Sequence, residues 1–296
     1  MNSHLILRPV VALAALLALL PMLGAAFFPA RVAGIALRLP RVAQFACPAL
    51  LCVPYALIAI SFGIFNWGWL ALYALLPVVI AMLLGEAKRA DPALRGNWLD
   101  FMVLAALGLA VDLRWFEPAW PAGLTAIGKM TLLDAGIFGF LVVRGLDGVG
   151  FDLRLRGRDA GIGLREFCFY AVLAIPLGLG LGFLHFHAAW PNGLQVCTGF
   201  IFTFFFIAIP EELFFRGWLQ NLLERRLGRS AALLLTAVLF GLSHWNKRTT
   251  NFNWQYVVMA ALAGIFYGRA WRAERRIGAS ALTHAMVDAV WGLWLK

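Results

Sequence analysis

Apolar runs recur along the whole chain, at about 9–28, 43–65, 68–85, 98–113, 122–143, 166–186, 194–215, 230–245, 254–270 and 278–295. Each is long enough, or nearly so, to cross a hydrocarbon core ~30 Å thick, which takes about 20 residues of helix. With 62% of the 296 residues hydrophobic and 14% charged, too few polar groups remain to cover a soluble globule of this size. In lipid every backbone N–H and C=O must be satisfied inside its own segment, so such runs become helices. The expected fold is an all-α polytopic membrane protein, a bundle of about 8–10 transmembrane helices.

The net charge of +10 would suggest a nucleic-acid partner in a soluble chain. Here the cations sit in short loops near 29–42, 86–97, 144–165, 216–229 and 269–277. That asymmetry sets topology and places those loops in the cytoplasm, with no role for nucleic acid. Trp67, Trp120, Trp190, Trp245 and Trp294 fall at span ends, as an aromatic belt does. Few lysines against many arginines, with abundant alanine, leucine and glycine, fits a GC-rich bacterial genome and hence the inner (cytoplasmic) membrane. The first run follows Arg8 and ends in small residues as a signal peptide would, but with so many spans behind it a retained helix is expected. Cys47, Cys52, Cys168 and Cys197 lie in apolar runs without metal-ligand spacing and read as small buried hydrophobes. No GxxxxGK[ST] loop is present to drive a nucleotide-powered transporter.

Polar residues inside the spans carry the functional information, because a charge at hydrocarbon depth costs roughly 3 kcal/mol or more. In "IPEELFFR" Glu212 and Arg216 are i and i+4 on a helix and can pair, leaving Glu211, about 100° around the helix, without a local partner. Pro210 frees the carbonyl of Phe206 and is expected to kink the helix there. "FGLSH" puts Phe240 and His244 on one face, and "HAMVD" does the same for His284 and Asp288. Taken singly each histidine fits a core role; together with Glu211, polar groups on separate spans point to one intramembrane site. Lys129 and Asp134 share another span and are expected to be structural. His185 and His187 resemble an HxH metal motif but point about 160° apart on a helix, which argues against a ligand pair. The hydrophilic stretch 144–167 alternates apolar and charged residues as a strand or hairpin does, or forms a solvated loop.

The order EExxxR (211–216), FxxxH (240–244), HxxxD (284–288) resembles the CPBP family, the CaaX-protease and bacteriocin-processing (Abi-type) intramembrane proteases. The resemblance covers roughly 166–296, which would be the catalytic core, with 1–165 as N-terminal helices of unassigned role. It implies a glutamic endopeptidase that needs no metal or other cofactor and acts on a membrane-associated peptide or protein substrate in the lipid bilayer. By the resemblance the site is Glu211, Glu212, His244, His284 and Asp288, with Arg216 as a structural ion-pair partner. Glu211 with His244 would deprotonate the attacking water and His284 would donate to the oxyanion. Family members with Asn at the last position can donate from its amide; Asp288, when ionised, only accepts, so it is expected to fix the His284 tautomer.

Three alternatives stand beside this. A non-catalytic scaffold or immunity-type member would keep the fold without hydrolysis. A zinc protease would use Glu211, His244 and His284 as ligands. A proton-coupled transporter would show inverted repeats, and the sequence has no internal repeat.

Counting residues raises a difficulty. A span starting near Arg229 puts His244 about 22 Å from its basic end, against about 7 Å for Glu211 from Arg216. The expected solution is an interfacial helix within 217–235 that delays the span. Glu211 and His284 would then lie in the cytoplasmic half, around a cavity open to the basic loops near Trp218 and Ala279.

Overall fold

The computed structural model describes residues 8–186, 191–247 and 251–295. It is 79% helix, with no strand among the described residues. The helices that are long and apolar enough to cross a membrane are α1 (Pro9–Phe27), α3 (Arg41–Ser61), α4 (Trp67–Ala90), α6 (Thr125–Val143), α7 (Gly157–Gly180) and α8 (Gly193–Leu227). Interspersed are α2 (Pro29–Arg38), α5 (Trp98–Asp112), α9 (Arg229–Leu242), α10 (Trp254–Glu274) and α11 (Ile277–Trp294). The chain is thus a polytopic helical membrane protein, with 6 candidate spans rather than the larger number expected. α5 and α9, of 15 and 14 residues, reach only about 22 Å. α10 and α11 are diluted by arginines and by His284 and Asp288. An apolar run marks a buried helix as readily as a lipid-facing one.

The chain divides into two compact units, Met1–Asp147 and Gly148–Lys296. In the first, α1 packs on α3 and α6, and α4 on α3, α5 and α6. Its buried cation is Arg144, whose guanidinium donates to Asp100 at 2.7 and 2.9 Å and to the Asp91 carboxylate at 2.8 Å. Asn97 caps α5 by accepting from the Leu99 and Asp100 amides, and Asp100 reciprocates at the Asn97 N–H. Lys129 pairs with Glu117 at 2.8 Å, while Asp134 is buried with neither oxygen hydrogen-bonded among the described residues.

The second unit begins within the stretch expected as a strand, hairpin or solvated loop; it holds no strand, and its loop is buried along one side before the chain turns helical. Residues 148–156 run irregularly with Val149, Phe151 and Leu153 buried, and α7 starts at Gly157. The alternation records one side of an extended segment buried against helices, not strand pairing. Its polar groups are met by the α10–α11 link: Trp271 Nε1 donates to the Val149 carbonyl at 3.0 Å and the Ile277 amide to Gly150 at 2.9 Å. Arg276 donates to Asp159 at 2.8 Å and to the Arg154 carbonyl at 2.8 Å. Arg154's hydrogen bonds hold the Asp152 carboxyl below the usual carboxylate range.

α8 is one helix of 35 residues, so no separate interfacial helix intervenes. Trp218, Gln220 and Leu222 are buried within the unit. The helix absorbs Pro210 through wider π turns at Phe204–Ala208 and Leu213–Gln220. The depth difficulty then disappears. Glu211 lies 16 residues, about 24 Å, from the end of α8, and His244 lies 15 residues, about 22 Å, from the start of α9. With Gly228 (φ 78°) turning the chain between them, both residues come to the same level.

α9 and α10 approach closely at glycines. A Cβ on Gly241 would sit 2.5 Å from the Val257 carbonyl oxygen, and one on Gly264 would sit 3.0 Å from Ala237 Cα. At Gly150, φ is +72° and a Cβ would meet the Arg275 carbonyl oxygen at 1.8 Å. Gly150→Ala is therefore expected to cost about 2 kcal/mol or more. Thermal unfolding of detergent-purified protein should show a clear fall in Tm, whereas Gly161→Ala, on an open face of α7 with nothing within 4 Å, should leave it unchanged or raise it.

Candidate active site

Glu212 and Arg216 are both fully buried on α8, and their side chains meet at 3.2 Å, the i, i+4 pair that their spacing allows. Arg216 also donates to the Gly264 carbonyl at 3.0 Å, and its guanidinium lies 4.7 Å from the Phe240 ring centre and 5.3 Å from that of Tyr267. The other Glu212 oxygen accepts from His284 Nδ1 at 2.9 Å, and Ser280 Oγ donates to Glu212 as well. A carboxylate in that position requires a proton on Nδ1, so Glu212 sets the His284 tautomer and ring direction. That task had been expected of Asp288.

His284 Nε2 then points between two further carboxylates, Asp288 at 3.6 Å and Glu211 at 3.9 Å. The imidazole plane is held by Tyr267, stacked at 4.5 Å and 16°, and by Phe240, edge-on at 5.8 Å. The Glu211 side chain is 36% exposed overall, but its Oε2 is buried and has no hydrogen-bond partner among the described residues. α8 thus presents one glutamate that is wholly engaged and, beside it, one that is free to act.

His244 stands one turn beyond Phe240, just past the end of α9. Its Nδ1 lies 2.8 Å from the Phe240 carbonyl, which can only accept, so Nδ1 carries the proton and a neutral ring presents Nε2 as a base. Tyr256 packs on it at 5.0 Å. A cavity of about 60 Å³, room for a few water molecules, is lined by His244, His284, Asp288 and the rings of Tyr170 and Tyr267. Trp218 and Ala279, expected beside an opening at the basic loops, are both fully buried.

Ser280 and Tyr267 escaped the motif reading. Ser280, His284 and Asp288 form an i, i+4, i+8 stripe on α11, a spacing visible in the sequence; nothing local marks Tyr267 among the other aromatics of α10. His185 is exposed, and His187 lies outside the described residues, as do Trp190, Arg248 and Lys296. No group of three or more His, Cys, Asp or Glu is placed to hold a metal among the described residues.

Helices that bury a carboxylate–guanidinium–imidazole chain beside a freer glutamate and a second histidine define the class: a polytopic helical membrane protein with a polar cluster inside its second unit. A family model described as Type II CAAX prenyl endopeptidase Rce1-like matches residues 192–290, and this stretch, which holds Glu211, Glu212, Arg216, His244, Tyr267, Ser280, His284 and Asp288, is a domain of the CPBP family. No curated protein and no solved structure matches the chain.

Removing one member of a buried ion pair typically costs 3–5 kcal/mol, because the other is left charged without a partner. Arg216→Ala should accordingly lower the yield of folded protein and its Tm in detergent. The double variant Arg216→Ala/Glu212→Gln should recover part of the loss. A double variant no more stable than the single one would show that the pair is not what holds Glu212.

Proposed function

We propose that this chain is an intramembrane endopeptidase that hydrolyses a peptide bond of a membrane-associated peptide or protein. The observation that carries this is the inequality of the two adjacent glutamates: Glu212 is consumed by Arg216, Ser280 and His284, and Glu211 is not. Membership of residues 192–290 in a protease family supports it.

Hydrolysis needs a base for water, a donor for the carbonyl oxygen as it becomes an oxyanion, and a proton for the leaving amine. Glu211, assisted by His244 Nε2, takes the proton of a water that attacks the carbonyl carbon. His284, protonated on both nitrogens, donates from Nε2 to the oxyanion while Glu212 holds Nδ1 and Asp288 steadies the positive charge. When the tetrahedral adduct collapses, the C–N bond breaks and the proton held by Glu211 passes to the amine. Both protons and charges balance without further reagent. Sequestration among Phe240, Tyr267 and Tyr170 lowers the local polarity, which strengthens each of these interactions.

The test compares the peptides found in membranes of cells carrying the intact chain with those from cells carrying Glu211→Gln. Loss of a general base costs about 10²–10⁴-fold in rate, so cleavage products should vanish while folded, inserted protein remains. Identical peptide sets in the two strains would sink the proposal. Loss with Glu212→Gln but not with Glu211→Gln would reverse the two roles.

A further inference from the structure

The site residues are not equally exposed, and the gradient has one direction. Along α11, running away from the basic link at Arg276, side-chain exposure rises from nothing at Ser280 through 3% at His284 to 29% at Asp288. α8 runs antiparallel to α9, and along it, again away from the basic turn, Arg216 and Glu212 are fully buried while Glu211 is 36% exposed. His244, at the end of α9 far from that turn, is partly exposed.

Towards the basic loops the second unit is packed with buried side chains and ion pairs. Trp218, Trp271 and Ile277 are fully buried there. Glu224, itself 5% exposed in its side chain, receives both Arg272 and Arg275, tying the end of α8 to the end of α10. Arg276 ties the start of α11 to Asp159 at the start of α7. Away from the basic loops the cavity continues past His244 and Asp288 to Phe183, Tyr256 and Trp291, rings 5.1–5.5 Å apart. These rings sit after the end of α7, at the start of α10 and near the end of α11, the helix ends remote from the arginines.

We infer that water and substrate reach the cavity lined by His244, His284 and Asp288, beside Glu211, from the membrane face opposite the Arg-rich loops. Since short Arg- and Lys-rich loops stay in the cytoplasm, that face is extracytoplasmic. The substrate class narrows to peptide segments presented there, such as the exported end of a membrane span or a peptide lying on the outer surface of the bilayer. This part of the inference rests on the proposed protease function; the direction of access does not. The expectation of a cytoplasmic opening measured the depth of Glu211 from Arg216, eleven residues short of where α8 ends, and the direction inferred here is the opposite one.

The direction of access can be read without any substrate. Full-length protein with Cys47, Cys52, Cys168 and Cys197 replaced would carry one new cysteine on the cavity wall, Val290→Cys or, as an independent second position, Ala171→Cys. Arg229→Cys, at the basic turn, serves as the reference. A membrane-impermeant maleimide is supplied to intact cells or to inverted vesicles, and labelling is read by mass shift. The cavity cysteines should label in intact cells and Arg229→Cys only in inverted vesicles. A permeant ligand is not needed, and the same pattern should hold in Glu211→Gln protein, so loss of proteolysis and loss of this access pattern are separate outcomes. Cavity cysteines labelled only from the Arg229 side overturn the inference. So does a cavity cysteine that labels from neither face yet reacts once the protein is unfolded.

Discussion

A glutamate buried completely within a membrane protein must be compensated, and the rest of the site follows from how Glu212 is. A bare carboxylate in such surroundings costs several kcal/mol, and one cation does not use all of its lone pairs. Arg216 takes one oxygen, His284 the other, and Ser280 adds a hydroxyl. These contacts draw α11 onto α8 and fix the imidazole through Nδ1. They also decide what is left over: His284 Nε2 faces outward, and the neighbouring Glu211, pointing elsewhere around the same helix, has only the shared His284 Nε2 at 3.9 Å.

Bringing His244 to this cluster is a matter of length. α8 continues well past Arg216, and α9 returns after a single glycine, so an antiparallel pair of nearly equal arms carries Glu211 and His244 to one level. The arms do not stay packed along their whole length. Residues 213–227 of α8 pack against α9, whereas 193–212 pack against α11. α10 fills the other side of α9, drawn close by Gly241 and Gly264, and supplies Tyr267 as the flat surface beneath His284. A small residue on one helix and an aromatic on the next thereby do a single job, placing an imidazole to within the tolerance that proton transfer requires.

Much of this was legible beforehand. The helical class follows from the composition, because lipid offers the backbone no alternative partner. The Glu212–Arg216 pair follows from i, i+4 spacing, and the family resemblance from motifs that the match over 192–290 covers. Other features were not legible because the signals are degenerate. The alternation read across 144–167 reports burial on one side only over 149–153, where a chain segment laid against helices satisfies it as well as a strand does. Apolar runs do not fix how long or how undiluted the helix they form will be, so α5, α9, α10 and α11 fall outside the 6 helices that are long and apolar enough to cross a membrane.

By itself the sequence determined that the chain is helical and membrane-bound, that Glu212 would pair with Arg216, and that Glu211, His244, His284 and Asp288 were the polar residues worth following. Those conclusions depend on local spacing and on the energetics of polar groups in lipid, which a linear pattern carries. Only the tertiary structure decided that Glu212 rather than Asp288 orients His284, that Ser280 and Tyr267 belong to the site, and on which side of the cluster the cavity lies. Each of those depends on where α8 ends and on how α10 and α11 pack against it, contacts between residues 48 to 72 positions apart that no local period encodes.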